Sequence, residues 1–123
     1  MATKRPPGLI YDEADIDAVT RTMLGEAANQ GDDGLAAVAH VIVNRLEKGG
    51  YGKTLNDVAR APKQFSAWNS KGLGGNNLVN ISADDPRYQR ARAIAEEVLN
   101  GRRADNTGGA VNYFAPAGMT GKN

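Results

Sequence analysis

The sequence contains no cysteine, and this absence removes several kinds of chemistry together. Disulfide bridges, cysteine nucleophiles and thiolate metal sites are all excluded. Histidine occurs once, at His40, so a zinc site built from several histidines would need more than one chain. Hydrolases that depend on zinc or cysteine are therefore disfavoured, and we expect no metal and no cofactor.

An excess of charge of one sign and a long hydrophobic run are also missing. Fifteen Lys and Arg oppose 14 Asp and Glu, so the net charge is +1 and nucleic acid is not an expected partner. Near the amino terminus the apolar run covers only residues 9–11. A signal peptide needs about 7 to 15 apolar residues and a membrane span about 20. We therefore expect synthesis in the cytoplasm without a signal peptide, and no membrane anchor.

The composition is typical of a folded domain, with 41% hydrophobic and 24% charged residues. We expect a loose tail over residues 1–10 and one domain over residues 11–123. Hydrophobic periodicity predicts helices at about 12–29 with Asp15 as N-cap, at about 35–46, after Thr54 to about Ala59, and from Pro86 to Gly101. The second helix is apolar on nearly every side and should be the buried centre. The predicted fold class is mainly α, a small domain with long loops.

Glu26 is the acid that stands out. At about 100° per residue it projects about 20° from Val19 and about 60° from Met23, so it borders the apolar stripe. It also lies near the end of its helix, where the dipole disfavours a carboxylate. Both effects favour a carboxyl that holds a proton near neutral pH and can donate it, as cleavage of a glycosidic bond requires. The alternative is a glutamate on the rim of an amphipathic helix with no chemical role.

The other charged side chains are predicted to be structural. Acids at predicted helix starts are explained by capping, and these are Asp15, Asp32, Asp33, Asp57, Asp84 and Asp85. Glu96 and Glu97 are expected to pair with Arg92 and Arg103 at the surface. His40 is expected to be a buried core histidine.

The segment 64–68 places two polar side chains, Gln64 and Ser66, among the aromatic residues Phe65 and Trp68. Loops that hold sugars often have this composition, because aromatic faces stack on pyranose rings while amides and hydroxyls bond the substituents. The alternative is that Phe65 and Trp68 anchor a long loop in the core.

Three ordered stretches carry a resemblance to a known family. They are MLGEAANQGDDGLAAVAHVIVNR at 23–45, PKQFSAWN at 62–69 and GGAVNYFAP at 108–116. Together they resemble the cell wall hydrolases typified by bacterial spore cortex-lytic enzymes, a family that also occurs in phage and prophage genomes. The chain departs from the family pattern at Asn112, where relatives commonly carry histidine, and at Val111, where they carry threonine.

The resemblance implies a lysozyme-like, lytic transglycosylase-like helical domain over 11–123 that cuts peptidoglycan between N-acetylmuramic acid and N-acetylglucosamine. Glu26 would be the catalytic acid, and the reaction would close a 1,6-anhydro ring on the sugar. The expected substrate-binding residues are Gln64, Phe65, Ser66, Trp68, Asn112 and Tyr113. Ser66 and Tyr113 would lie near Glu26, and the chain would act on the cell wall as a monomer. The missing secretion signal suggests a phage endolysin that crosses the inner membrane through a separate pore protein.

Three other functions remain open from the sequence. A hydrolytic muramidase would use water and a second acid such as Asp57 or Asp105. A peptidoglycan-binding module would keep the groove without turnover. A helix-turn-helix module would use residues 15–46, although its second helix is almost wholly apolar and a recognition helix needs polar side chains.

Overall fold

A computed structural model describes residues 9–61 and 78–113 of the chain. Regular structure in these residues is helical throughout. It consists of α1 (Glu13–Ala27), α2 (Gly31–Lys48), α3 (Leu55–Arg60) and α4 (Pro86–Leu99), with 3-10 turns at Ala28–Gln30 and Leu78–Asn80. The predicted mainly helical class is confirmed, and the small helical domain is consistent with a lysozyme-like one. Among the described helices none is long and apolar enough to span a bilayer.

The N-cap of α1 is Asp12, so the prediction of Asp15 at that position is wrong. Asp12 Oδ1 accepts from the Asp15 backbone nitrogen at 2.9 Å, and Asp15 Oδ2 accepts from the Asp12 backbone nitrogen at 3.0 Å. This reciprocal pair is a capping box. The other oxygen of Asp15 accepts from the backbone nitrogen of Asn56 at 2.9 Å. Asp15 therefore joins the beginnings of α1 and α3, and it is buried.

The turn between α1 and α2 is tighter than the sequence suggests. Gly31 follows the single 3-10 turn with φ +74°, a conformation that glycine adopts without strain, and α2 begins there. Asp32 and Asp33 therefore lie in the first turn of α2, and the N-cap is Gln30, which makes no side-chain capping bond. The positive end of the helix dipole stabilises their negative charges. Asp32 also binds Arg90 of α4 through two contacts of 2.9 Å.

The helix α2 is the buried centre of the domain, as predicted. Its residues from Leu35 to Arg45 are buried except Ala37, and His40 is fully enclosed. The largest fully buried apolar side chains of the described core are Ile16, Val19, Met23, Val38, Val41, Ile42, Val43, Leu55, Val58 and Val98. A helix enclosed on all sides cannot enter a DNA groove, so the helix-turn-helix alternative is excluded.

The helix α4 follows its sequence signals. Asp85 is the N-cap, its side chain accepting from the Arg87 backbone nitrogen at 2.8 Å, and Pro86 is the first residue. The predicted inner face is buried, comprising Tyr88, Ala91, Ala95, Val98 and Leu99. The two predicted ion pairs are present, Arg92 with Glu96 at 3.2 Å and Arg103 with Glu97 at 2.9 Å.

Arg21 of α1 holds the segment that precedes α4. Its Nη1 donates to the carbonyl oxygens of Val79 and Ile81 at 2.9 and 2.8 Å. Its Nε is paired with Asp17 at 2.9 Å, and Asp17 also accepts from the Tyr88 hydroxyl at 2.6 Å. These contacts fix residues 78–81 against α1.

Candidate active site

Glu26 lies one residue before the end of α1 and is half-buried, as the helical pattern predicts. Met23 and Ala27 beside it are in the core. The charge of Glu26 acts on the guanidinium of Arg45 on α2 and on the hydroxyl of Tyr113 in the loop after α4. The carboxyl at the end of α1 therefore shares its surroundings with a cation from α2 and a phenol from the third motif.

Tyr113 presents a buried hydroxyl near this carboxyl. Its oxygen is inaccessible to solvent and has no hydrogen-bond partner in residues 9–61 or 78–113. Burial raises the pKa of Tyr113, and the negative charge of Glu26 raises it further. The phenol is therefore neutral at physiological pH and keeps its proton.

The loop that follows α4 is folded around the carboxylate of Asp105. Oδ1 accepts from the backbone nitrogen and the hydroxyl of Thr107, at 2.7 and 2.6 Å. Oδ2 accepts from the backbone nitrogen of Gly109 at 3.0 Å and from Nδ2 of Asn44 at 3.1 Å. Burial alone would raise the pKa of Asp105, but the hydrogen bonds from Thr107 and Asn44, with the electrostatic influence of His40, lower it to about 2.

Two side chains near the end of α2 hold the rest of this loop. Nδ2 of Asn44 also donates to the carbonyl oxygen of Ala110 at 2.9 Å. Arg45 donates from Nε to the carbonyl oxygen of Val111 at 2.6 Å and from Nη2 to Oδ1 of Asn112 at 3.3 Å. Sequence reasoning gave Asn44 and Arg45 no role of their own. The available sequence signal was that two polar residues stand together near the end of an apolar helix. In the structure Asn44 is 9% exposed and Arg45 is 4% exposed.

The predicted substrate-binding residues fall into two groups. Asn112 and Tyr113 lie in the loop after α4, where Tyr113 is within electrostatic reach of Glu26 and Asn112 is exposed. Gln64, Phe65, Ser66 and Trp68 lie outside the described residues, so their convergence on Glu26 stays a prediction.

The two carboxyls considered as a second acid, Asp57 and Asp105, lie at a helix start and within a hydrogen-bonded loop. Asp105 is engaged by four donors in the loop, and Asp57 is exposed in the first turn of α3. The backbone nitrogen of Asp57 donates to Oγ1 of the N-cap Thr54 at 3.0 Å.

A cavity of about 400 Å³ lies next to Tyr113. Neutral amide and hydroxyl side chains form much of its wall, with a small-residue floor, and the lining comprises Gln30, Asp33, Gly34, Ala37, Asn106, Thr107, Asn112 and Tyr113. A larger cavity of about 580 Å³ is lined by Leu24, the 28–30 turn, the start of α2 and the α4 arginines Arg87 and Arg90. Glu26 lines neither of these two cavities. The smaller cavity is the one of the two that is lined by Asn112 and Tyr113.

Comparison with known proteins gives a consistent result. Residues 29–122 match the model of the Cell Wall Hydrolase family. The chain is 31% identical over 115 residues to a spore cortex-lytic enzyme of Halalkalibacterium halodurans, covering 94% of this chain and 31% of that protein. It is 29% identical over 106 residues to a spore cortex-lytic enzyme of Oceanobacillus iheyensis, covering 86% of this chain and 34% of that protein.

The matches differ in the parts of the chain and of the relatives that they cover. The chain spans about a third of the length of these curated relatives. Position 26 precedes the match to the family model, but it lies within both alignments because they cover so much of the chain. No solved structure matches.

Proposed function

Since the chain belongs to the Cell Wall Hydrolase family, we propose that it cleaves the glycan strand of peptidoglycan between N-acetylmuramic acid and N-acetylglucosamine, with Glu26 as the catalytic acid. The observation that carries this proposal is that a half-buried carboxyl lies within electrostatic reach of a buried neutral phenol from the third motif. General acid catalysis needs a carboxyl partly removed from water, and substrate positioning needs a donor with a free proton.

In the proposed reaction one carboxyl acts twice. Glu26 first donates its proton to the glycosidic oxygen, and the bond between that oxygen and C1 of N-acetylmuramic acid breaks. The resulting carboxylate then removes the proton from the C6 hydroxyl of the same sugar, whose oxygen bonds to C1. The products are a 1,6-anhydro sugar and a free hydroxyl on the leaving sugar, and Glu26 regains its proton.

This lytic transglycosylase mechanism needs only one acid, because the nucleophile is part of the substrate. Mechanisms of glycoside hydrolysis that use water depend on a pair of carboxyl groups flanking the bond. The environments of Asp105 and Asp57 support the single-acid reaction over the muramidase alternative, since Asp105 is occupied by four hydrogen bonds and Asp57 is exposed at a helix start.

The cavity beside Tyr113 is proposed to receive one sugar of the strand. Its amides and hydroxyls suit the hydroxyl and N-acetyl substituents of a neutral sugar ring. The Tyr113 hydroxyl, which is enclosed in this structure, would donate to one of them after a shift of its ring. Asn112 would contribute from the rim. Gln64, Phe65, Ser66 and Trp68 are proposed to form the remaining part of the groove, with the aromatic rings stacking on sugar faces.

The products from purified peptidoglycan test this function. The chain is incubated with sacculi and with spore cortex, and the released muropeptides are weighed by mass spectrometry. We expect anhydro-muropeptides, which are lighter by one water than the products of hydrolysis. Products with a reducing end would show that the chain is a hydrolytic muramidase instead. Binding to sacculi without release of muropeptides would show that it is a peptidoglycan-binding module.

A further inference from the structure

The larger of the two cavities adjoins the smaller one. Both are lined by Gln30 and Asp33, so they meet at the start of α2. Leu24 and Ala28, which also line the larger cavity, stand two residues before and two residues after Glu26 in the sequence. The volume of about 580 Å³ is in the range of cavities that bind small ligands. A ligand seated in the smaller cavity can therefore extend a branch into the larger one.

Leucine side chains form the apolar part of the wall of the larger cavity. Leu24 of α1 and Leu35 of α2 are buried core residues, and Leu78 comes from the 3-10 turn before α4. The bonds from Arg21 to backbone carbonyls hold residues 78–81 against α1, and with them this part of the wall. The cavity therefore presents apolar surface to small apolar groups of a ligand.

Arg87 and Arg90 form a cationic part of the same wall, one helical turn apart on α4. Arg87 donates from Nε and Nη2 to Asp85 at 3.0 and 2.8 Å, and Arg90 donates from the same two nitrogens to Asp32 at 2.9 Å each. These paired bonds orient both guanidinium groups. A guanidinium has five N–H donors, and within residues 9–61 and 78–113 Nη1 of both arginines makes no hydrogen bond. Each arginine therefore still has donors for a carboxylate.

The acids of the same wall define which kind of ligand fits. Asp32 is bound by Arg90, and Oδ1 of Asp33 lies 3.8 Å from Nη1 of Arg103. Two arginines and two aspartates line the cavity, so its wall has no net charge. Binding would rest on directed hydrogen bonds from Arg87 and Arg90 and on apolar contact. A small apolar framework that carries carboxylates fits this wall better than a polyanion does.

We propose that the larger cavity binds the peptide stem of peptidoglycan, with Arg87 and Arg90 donating to its free carboxylates. The stem is a short peptide with methyl groups and carboxylates, and it branches from the glycan at the lactyl group of N-acetylmuramic acid. A strand with one sugar in the smaller cavity would thus direct a stem past Gln30 into the larger one. This inference rests on the proposed function, because it takes the glycan to occupy the smaller cavity.

The test uses soluble glycan strands in two forms that differ only in the stem. One form carries unmodified stems, and in the other the stem carboxylates are converted to amides, which removes their charge and keeps their length. The kcat/KM for cleavage by the full chain is measured with each form. The ratio of the two values reports how strongly the carboxylates are recognised.

Two double variants with the same change in net charge are compared with the parent chain. Arg87→Gln with Arg90→Gln removes both guanidinium groups from the cavity. The matched control is Arg92→Gln with Arg102→Gln, which removes two positive charges from α4 and the turn after it, at positions that do not line the cavity. Circular dichroism melting establishes that each variant is folded in the assay.

We expect the parent chain to cleave unmodified strands about tenfold faster than amidated ones, because hydrogen bonds between charged groups are stronger than neutral ones. The Arg87 and Arg90 double variant should cleave both forms at the rate at which the parent cleaves amidated strands. The control should keep the tenfold ratio. A ratio near one in the parent chain, a tenfold ratio retained in the cavity variant, or an equal loss of the ratio in the control overturns the inference.

Binding of the same strands separates this inference from the proposed function. The Glu26→Gln chain should bind unmodified strands about tenfold more tightly than amidated ones, and should lose that difference when Arg87 and Arg90 are also replaced. If the parent chain cleaves both forms equally and binding shows no preference, only the stem site fails. If the parent chain releases nothing while binding depends on the carboxylates and on both arginines, the proposed function fails and the stem site stands.

Discussion

The hydroxyl of Tyr113 lies against α2 at Gly34, where an added Cβ would stand 3.5 Å from the hydroxyl oxygen. The same Cβ would overlap the Cβ of Gln30, which is fixed to the backbone of the turn after α1. The close approach of this turn to α2 therefore depends on the absence of a side chain at position 34, whereas the Tyr113 hydroxyl would stay in ordinary van der Waals contact with an added methyl group.

Gly34→Ala should destabilise the domain by about 1 to 3 kcal/mol and lower activity, because the overlap forces the turn to move. Alanine ordinarily stabilises a helix interior by about 1 kcal/mol relative to glycine, so the sign of the change reveals which effect dominates. Thermal unfolding measures it. A variant at least as stable as the parent chain would show that the turn accommodates a methyl group and that the packing is looser than described.

Tyr113→Phe should leave the melting temperature unchanged or slightly raised. The hydroxyl is buried without a hydrogen-bond partner in the described residues, so its removal breaks no bond there. Activity should fall about tenfold, since a hydrogen bond to substrate contributes about 0.5 to 1.5 kcal/mol. Full activity with reduced stability would be the opposite pattern and would make the tyrosine a packing residue.

The carboxylate of Asp105 should contribute a pH-dependent part of the stability. Its pKa is about 2 in the folded protein, below its ordinary value of 3.8. The contribution is therefore present above about pH 4 and is lost as the pH falls toward 2. Denaturation at pH 7 and pH 3 should show Asp105→Asn destabilised by about 1 to 2 kcal/mol at pH 7, with a smaller difference from the parent at pH 3. An equal difference at both values would contradict the assignment.

Asp105→Asn also separates the two carboxyl mechanisms. In the single-acid reaction Asp105 only shapes the loop, so the variant should lose at most about tenfold in rate at a temperature where it is folded. A catalytic acid or base contributes about 10² to 10⁴. A loss in that range with an intact fold, measured by release of muropeptides, would favour the hydrolytic muramidase.

Asp15→Ala should destabilise the domain without altering its chemistry. The substitution removes half of the α1 capping box and the acceptor for the Asn56 backbone nitrogen, which leaves a donor of α3 unpaired. We expect a loss of about 1 to 3 kcal/mol, against about 1 kcal/mol for Asp12→Ala. Activity measured well below both melting temperatures should match that of the parent chain. A selective loss of activity in Asp15→Ala would mean that the α1–α3 contact reaches the site.

Features that depend on residues close in sequence were predictable. Asp85 and Pro86 begin α4 as expected, and the pairing of Arg92 with Glu96 follows from one helical turn of separation. The half-burial of Glu26 follows from its angle to the apolar stripe. In each case the physical cause lies within a few residues of the feature.

Features that depend on contacts between distant residues were not predictable. Asp15 is a residue type that often forms an N-cap. In the structure it lies in the first turn of α1, and its side chain accepts a hydrogen bond from the backbone nitrogen of Asn56, 41 residues away. Asn44 and Arg45 bind acceptors more than 60 residues along the chain. Hydrophobic periodicity shows which face of a helix is buried. It does not show which loop the polar residues at the end of that helix will bind.

The central claim is that Glu26 transfers the proton, and Glu26→Gln tests it most directly. Glutamine is nearly isosteric but cannot donate or accept that proton, so the variant should keep its fold and its binding to sacculi. The matched control is Glu13→Gln on the same helix, which alters only an exposed ion pair with Arg92. Release of muropeptides from purified peptidoglycan should fall by at least about 10² in Glu26→Gln and stay near the parent rate in the control. Activity above half of the parent rate in Glu26→Gln would remove Glu26 from the mechanism.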